Sequence, residues 1–207
     1  MRKLAQIAVL VLLPSALLIS LGSSASAVIT YTGTATCTSA GGTITFTPPL
    51  LSNGNSLTET IKVTNPIKPC TPSSPNVPPT IHGVITGKVV ISTASAPDNN
   101  CGVLFPSSPG TKPFGPTPSP SAWKVVWNPA GTPSHLSFTT FNVINTAGQI
   151  SFGVPMNPIT GSFKSPPPGG VVLSGGATWS LAAIQAACAL PTGLKHLTIG
   201  TTGVDAL

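Results

Sequence analysis

The chain has little charge, and most of the charge it has is positive. It contains only three acidic residues and no arginine beyond Arg2. Acid–base catalysis on glycosides or peptides usually needs two carboxylates, or a carboxylate and a histidine, held close together, so the scarcity of acids weighs against that chemistry. The seven lysines that follow residue 27 are scattered singly, which is not the clustered, arginine-rich pattern of nucleic-acid binding. We therefore expect no nucleic-acid partner.

Motifs for catalysis and metal binding are also missing. Gly-x-Ser-x-Gly, the glycine-rich phosphate loop and Cys-x-x-Cys are absent, and no two histidines are spaced as ligands on one element. His82, His135 and His196 each lie near the start of a predicted strand, which is typical of surface histidines. We expect no catalytic residue, no metal and no cofactor. A Ser-His-Asp arrangement that forms only in three dimensions stays an alternative, because triads are defined by geometry.

Glu59 is the acidic residue of most interest. Alternation in the predicted strand 57–64 places it on the face of Leu57 and Ile61, and an inward-pointing carboxyl would have a raised pKa and could be functional. Because buried acids are rare, the favoured interpretation is a residue at the rim of the sheet that reaches solvent. The other acids, Asp98 and Asp205, are interpreted as loop and terminal residues.

What the sequence does have is an N-terminal secretory signal. Residues 2–3 are basic, residues 4–21 are an apolar run, and the small residues Ala25 and Ala27 suit a signal peptidase. An uncleaved membrane anchor is the alternative, because about 18 apolar residues could just span a bilayer. We favour cleavage after Ala27. The mature chain then begins at Val28, has no transmembrane segment and no cysteine at the end of the apolar run for a lipid anchor, and is secreted, either extracellular or associated with the cell surface.

Four cysteines lie in the mature part: Cys37, Cys70, Cys101 and Cys188. Export favours their oxidation to two disulfides. Three pairings are possible, and we favour Cys37 with Cys70 and Cys101 with Cys188, because the first two flank a plausible pair of neighbouring strands. A zinc site is the disfavoured alternative, since the cysteines lack the close spacing of zinc ligands.

The strand pattern indicates an all-β protein. Stretches rich in Thr, Val and Ile alternate with stretches rich in Pro, Gly, Ser and Asn. The predicted strands are 28–37, 43–47, 57–64, 81–93, 122–127, 135–144, 149–152, 161–164, 171–179 and 195–201. The apolar phase shifts within 135–144, which predicts a bulge or a break near Thr139 and Thr140. Ser180 is the predicted cap of one short helix over 181–188.

Three proline-rich stretches separate predicted strands, at 66–79, 97–120 and 155–168. We interpret them as long surface loops, because interdomain linkers at these places would leave pieces too small for a core. The prediction is a single secreted domain over residues 28–207. It is a disulfide-bonded antiparallel β-sandwich, Ig-like or jelly-roll-like, with long Pro-rich loops and one short helix.

Trp123 and Trp127 are the candidate ligand-binding residues. In a strand they share one face with Val125, so that the two indoles could form a platform for sugar rings or another flat apolar ligand. The same spacing suits a core stripe. We favour the core interpretation, because a β domain with few aromatic residues needs its tryptophans inside.

The stretch 37–50, the tripeptide 61–63 leading to Cys70, and the later tripeptide 161–163 resemble segments of small exported proteins of actinomycete-type bacteria. Those proteins have no assigned activity, so the resemblance implies export and a disulfide-bonded β fold only. The function we expect is secreted and non-enzymatic, with a binding or structural role at the cell envelope or in the medium. A cell-envelope polymer or a surface protein is the expected partner. The alternative is a secreted hydrolase with a Ser/His or Glu/His site.

Cleavage of the leader can be tested on the exported protein. Intact-mass measurement of the exported protein should give the mass of residues 28–207 with both disulfides formed, because peptidase cleavage follows Ala27. The change Ala27→Asp should block processing. Recovery of wild-type protein that retains residues 1–27 in the membrane fraction would support the anchor instead.

Overall fold

The computed structural model describes residues 28–114, 123–138, 140–163, 171–201 and 204–206, with only the backbone at 138, 156–159, 171–173 and 204–206. The predicted signal peptide, residues 1–27, lies outside the described residues. So do residues 115–122 and 164–170, which include parts of two predicted loops.

Twelve strands and two short helices make up the described part of the chain. The strands are β1 (Ala35–Ser39), β2 (Gly42–Leu50), β3 (Thr58–Pro72), β4 (His82–Ser92), β5 (Gly110–Phe114), β6 (Trp123–Asn128), β7 (Ser134–Phe138), β8 (Phe141–Thr146), β9 (Gln149–Thr160), β10 (Val171–Ser180), β11 (Leu194–Ile199) and β12 (Val204–Ala206). The helices are α1 (Cys101–Leu104) and α2 (Leu181–Cys188).

All the strands belong to one antiparallel sheet, in the order β1-β12-β10-β11-β2-β3-β4-β6-β7-β9-β8-β5. Two further pairings, β1 with β3 and β10 with β9, join strands that lie apart in this order, so the sheet folds back on itself. Side chains from distant strands meet in its interior, among them Ile44, Ile85, Phe141 and Ile199. The mostly β, antiparallel fold is confirmed. The sandwich type, Ig-like or jelly-roll-like, stays a prediction.

Strand β3 extends well beyond its predicted end. It continues through the first half of the predicted loop 66–79 to Pro72, and Pro66 and Ile67 pair with β4. Proline has no backbone N–H, so it fits in a strand at positions where no neighbouring strand requires a hydrogen-bond donor. The loop prediction is wrong for residues 66–72, because composition alone does not show where a backbone donor is dispensable. For the same reason β5 and the end of β9 occupy parts of the other two predicted loops.

Two further strand predictions have opposite outcomes. The break near Thr139 and Thr140 is confirmed, because β7 ends at Phe138 and β8 begins at Phe141. The strand predicted at 161–164 is wrong where the structure describes it. Gly161 and Phe163 have φ angles of 94° and 53°, which are left-handed and incompatible with a strand.

Helix α2 is confirmed with its cap. The Ser180 hydroxyl accepts a hydrogen bond from the Ala183 amide at 3.3 Å, and Leu181, Ile184 and Cys188 are buried on one side. Helix α1 is a single turn that the sequence did not predict. It is capped in the same way, by the Asn100 side chain on the Gly102 amide at 2.8 Å.

Both favoured disulfides are present, and no described cysteine is free. Cys37 and Cys70 lie directly opposite each other on β1 and β3. Cys101 of α1 is bonded to Cys188 of α2, which ties the two helices together. In the part of the chain that the structure describes, neither helix is long and apolar enough to cross a membrane.

Close packing of Trp123 against Gly87 generates a testable expectation. A Cβ atom at Gly87 would overlap the indole ring of Trp123, whose Nε1 donates to the Lys88 carbonyl oxygen at 3.0 Å. Gly87→Ala should therefore lower the free energy of unfolding by about 1–3 kcal/mol, as overpacking does. Gly153→Ala is the matched control, since its Cβ would lie 3.6 Å from Ile144, an ordinary contact. Denaturant titrations that give equal stabilities for the two variants would contradict this packing.

Candidate functional site

The two candidate tryptophans lie in the interior. Trp123 is 1% exposed and Trp127 is 3% exposed. The Nε1 of Trp127 donates to the Ser134 hydroxyl at 2.9 Å, and its ring meets Phe163 edge-on with 4.8 Å between centroids. This placement corresponds to the core interpretation. A surface platform for sugars is not formed, because the pleat turns both indoles inward.

Among the described residues, the apolar cavity beside Trp123 is small. A cavity of about 30 Å³ lies among apolar side chains that include Val63, Trp123 and Phe152. Because a water molecule needs roughly 10–15 Å³ of such space, the cavity has room for about two waters. This cavity is therefore too small for a ligand of more than a few atoms.

Glu59 and Asp98 are both fully buried, at 0% exposed. The favoured expectation of a rim position for Glu59 is wrong. Strand β3 begins at Thr58, so its inward set starts with Glu59 and continues with Ile61, while Leu57 lies before the strand and is 49% exposed. Asp98 lies in a loop, as expected, but the loop is packed against the sheet.

Each buried carboxyl group has one bonded and one unbonded oxygen. Glu59 Oε1 accepts a hydrogen bond from the Thr47 amide at 2.8 Å, and Asp98 Oδ2 accepts one from the Thr93 amide at 2.7 Å. Glu59 Oε2 and Asp98 Oδ1 have no hydrogen-bond partner. An ionised carboxylate with an unbonded buried oxygen is costly, so burial favours the protonated form of Glu59.

The pKa of Glu59 is raised to about 8, chiefly because burial disfavours the charged carboxylate. The Thr47 hydrogen bond lowers the pKa and opposes this effect, and the charge of Asp98 adds a smaller upward contribution. At neutral pH Glu59 is therefore largely protonated. Oε2, the oxygen without a partner, then carries no full negative charge, which lowers the cost of its burial. Asp98 Oδ1 is an acceptor without a partner.

The candidate acids and histidines do not form a common site. Glu59 and Asp98 are inside, whereas His135 and His196 are on exposed positions of β7 and β11. The third histidine, His82, is half-buried, and its Nδ1 lies 3.3 Å from the Thr80 carbonyl oxygen. Asp205 belongs to β12, whose side chains lie outside the described residues. Among the described residues no group of three His, Cys, Asp or Glu side chains could hold a metal ion.

The outer surface carries two parallel rows of aligned side chains. The first row runs across four adjacent strands and consists of His196, Thr45, Lys62 and Lys88. The second row runs across six adjacent strands and consists of Thr198, Thr43, Thr64, Thr86, Lys124 and His135. All of these residues are exposed except Thr86, which is half-buried. We call these ten residues the lysine–threonine face.

Positive charge is concentrated at the centre of this face. Lys62 and Lys88 are directly opposite each other on β3 and β4. Directly opposite residues have Cβ atoms about 4.5–5.5 Å apart, and like charges at this spacing are destabilising. Lys124 is opposite Thr86 and therefore diagonal to Lys88, at about 7–8 Å. No member of either row is acidic, so the face itself supplies no neutralising charge.

Sequence reasoning missed this face. The lysines are far apart in the chain, and only the register of β3, β4 and β6 brings Lys62, Lys88 and Lys124 together. The sequence did contain one signal for this face: the alternation of apolar and polar residues in each strand shows which side chains point outward. Lys62 alternates with the inward Ile61 and Val63, and Lys124 with Trp123 and Val125.

Comparison of the chain with family models, with curated proteins and with solved structures gives no match.

The buried carboxyl group of Glu59 makes stability depend on pH. Its pKa is about 8 in the folded protein against 4.5 as the ordinary value, so the folded state keeps a proton that the unfolded chain releases. The contribution to the free energy of unfolding is complete below pH 4.5 and falls as the pH rises towards 8, by up to about 1.4 kcal/mol per pH unit.

Glu59→Gln should remove this contribution, because glutamine stays neutral, accepts from the Thr47 amide and offers an N–H to neighbouring acceptors. Urea unfolding of wild type and variant from pH 4.5 to 8.5 measures the difference. We expect the wild type to lose stability relative to the variant across this range. Parallel curves would show that Glu59 titrates normally.

Proposed function

We propose that this chain is a secreted, non-enzymatic β protein that attaches to a polymer of the cell envelope through the lysine–threonine face. The observation that supports the proposal most strongly is the extent of this face, which presents threonine hydroxyls and lysine ammonium groups on five adjacent strands and the imidazole of His135 on a sixth. Small molecules bind in concave pockets, whereas this surface follows the outside of a sheet. An extended polymer can contact such a surface along its length.

The spacing of the face suits a chain-like partner. Neighbouring strands lie about 4.8 Å apart, so each row offers a polar group at that interval to a polymer that crosses the strands. Thr43, Thr64 and Thr86 are consecutive members of the second row. Their hydroxyls can both donate and accept hydrogen bonds, as hydroxyl-rich or charged polymers require.

Secretion is part of the proposal. It is supported by the leader sequence and by the two disulfides, since disulfides persist mainly in oxidising compartments outside the cytoplasm. The sandwich architecture is also proposed here, Ig-like or jelly-roll-like. It is supported by the pairings of β1 with β3 and of β10 with β9, which fold the sheet back on itself.

The hydrolase alternative has less support. It requires a histidine beside a serine or an acid in a cleft, and the described acids are buried while His135 and His196 are on the outer surface. The positions of these residues therefore favour binding over acid–base chemistry as the role of the protein.

Co-sedimentation of the mature protein with envelope material from the producing cells tests the proposal. Wild-type protein should sediment with the envelope. Thr43→Val with Thr64→Val should weaken binding about threefold to tenfold, because valine keeps the shape but removes two hydroxyls from the face. Thr111→Val is the matched control. Thr111 is exposed on β5, outside the lysine–threonine face, so this variant should bind as the wild type does. Wild-type protein that stays entirely in the supernatant would refute attachment to the envelope.

A further inference from the structure

We infer that the polymer on the lysine–threonine face is a polyanion with repeated carboxylate or phosphate groups, one of which lies between Lys62 and Lys88. The inference rests on the proposed function and names the chemistry of its partner. It starts from the direct opposition of these two residues on β3 and β4, both exposed.

Two opposed ammonium groups reduce stability when nothing lies between them. An anionic group held between them reverses the sign of the interaction, because each lysine then contacts an opposite charge instead of a like one. The nearest described carboxylates cannot supply that charge. Glu59 is fully buried on the inward side of the same strand. Asp98 is also fully buried, so no described side chain neutralises these lysines, and we assign the neutralising group to another molecule.

Neighbouring side chains extend the site beyond one charge. Lys124 lies diagonal to Lys88, and Thr64 and Thr86 are directly opposite each other in the adjacent row. Positions two residues apart on a strand are about 6.6–6.8 Å apart, which sets the distance between the two rows. A second anionic group of the same polymer can reach Lys124 while the first remains between the opposed lysines.

Exposure explains why the partner is a polymer. A single ion pair at a solvent-exposed site contributes little, so an isolated carboxylate or phosphate would bind weakly. Repeated groups on one chain bind with a high effective concentration after the first contact. Nucleic acid fits less well, because neither row contains arginine for base edges or a Phe, Tyr or Trp ring for base stacking.

Titrations of the mature protein with inorganic polyphosphate and with polygalacturonate separate the two sources of negative charge. The wild type should bind at least one of them, with an affinity that falls steeply as salt rises. Lys62→Gln with Lys88→Gln should weaken this binding at least about tenfold and reduce the slope of log K against log salt by about two. Lys68→Gln is the matched control. It removes one exposed charge on β3, six residues or about 20 Å from Lys62, and should change little.

Thermal unfolding of the same variants distinguishes a binding role from a structural one. Each single change, Lys62→Gln or Lys88→Gln, should leave Tm unchanged or raise it, because it removes repulsion between directly opposite charges. A fall in Tm together with the loss of binding would show that these lysines support the fold.

Further outcomes would overturn the inference. The inference is refuted if the wild type binds neither polymer, or if its affinity for them does not change with salt concentration. Tighter binding to double-stranded DNA or to phosphatidylglycerol vesicles would also refute it. If the wild type sediments with envelope material at high salt and the double lysine variant sediments equally well, the polymer is uncharged. In that case attachment to the envelope is still supported, and the inference that the polymer is a polyanion is refuted.

Discussion

The alternation of side chains across the antiparallel strands is the constraint on which the other features depend. Each strand of the central sheet sends one set of residues inward and the other outward, and the ladder fixes which outward residues become neighbours. On β3 this single rule buries Glu59 and Ile61 and exposes Lys62. The buried carboxyl group of Glu59 and the exposed ammonium group of Lys62 both follow from the same alternation of side chains along β3.

Strand β3 therefore separates charge by sign across the sheet. Glu59 is inside, where a proton removes a charge that burial disfavours, whereas Lys62 is outside with Lys88 and Lys124 of the neighbouring strands, where water supports their charges. In many proteins surface carboxylates would neutralise part of such a cationic face. Here the face keeps its positive charge, so its most direct physical property is an attraction for anions. The small apolar cavity inside adds no comparable binding capacity.

Local signals allowed much of the fold to be predicted from the sequence. The cap and periodicity of α2 identified that helix, and the phase shift before Phe141 identified the break between β7 and β8. Both disulfides were also the favoured pairs. Proline content was a poor guide, because Pro66 lies within a paired strand. The turn at Phe163 has a positive φ that composition does not reveal.

The candidate site was harder to predict, for a physical reason. Whether Glu59 is buried depends on where β3 begins, and a shift of one residue would have exposed it. The opposition of Lys62 and Lys88 depends on the register between two strands, which no short motif encodes. Side-chain types were visible in the sequence, but their neighbours are set by long-range pairing.

The central claim is that the outward lysines of β3 and β4 contact a polyanion together. The test is to acetylate the mature protein with a water-soluble reagent, with and without bound envelope polymer. Mass spectrometry of the peptides then gives the extent of acetylation at each lysine. The account predicts that the polymer protects Lys62 and Lys88 several-fold and leaves Lys68, which is exposed near the far end of β3, labelled as before. Equal labelling of all three lysines in the presence of saturating polymer would contradict it.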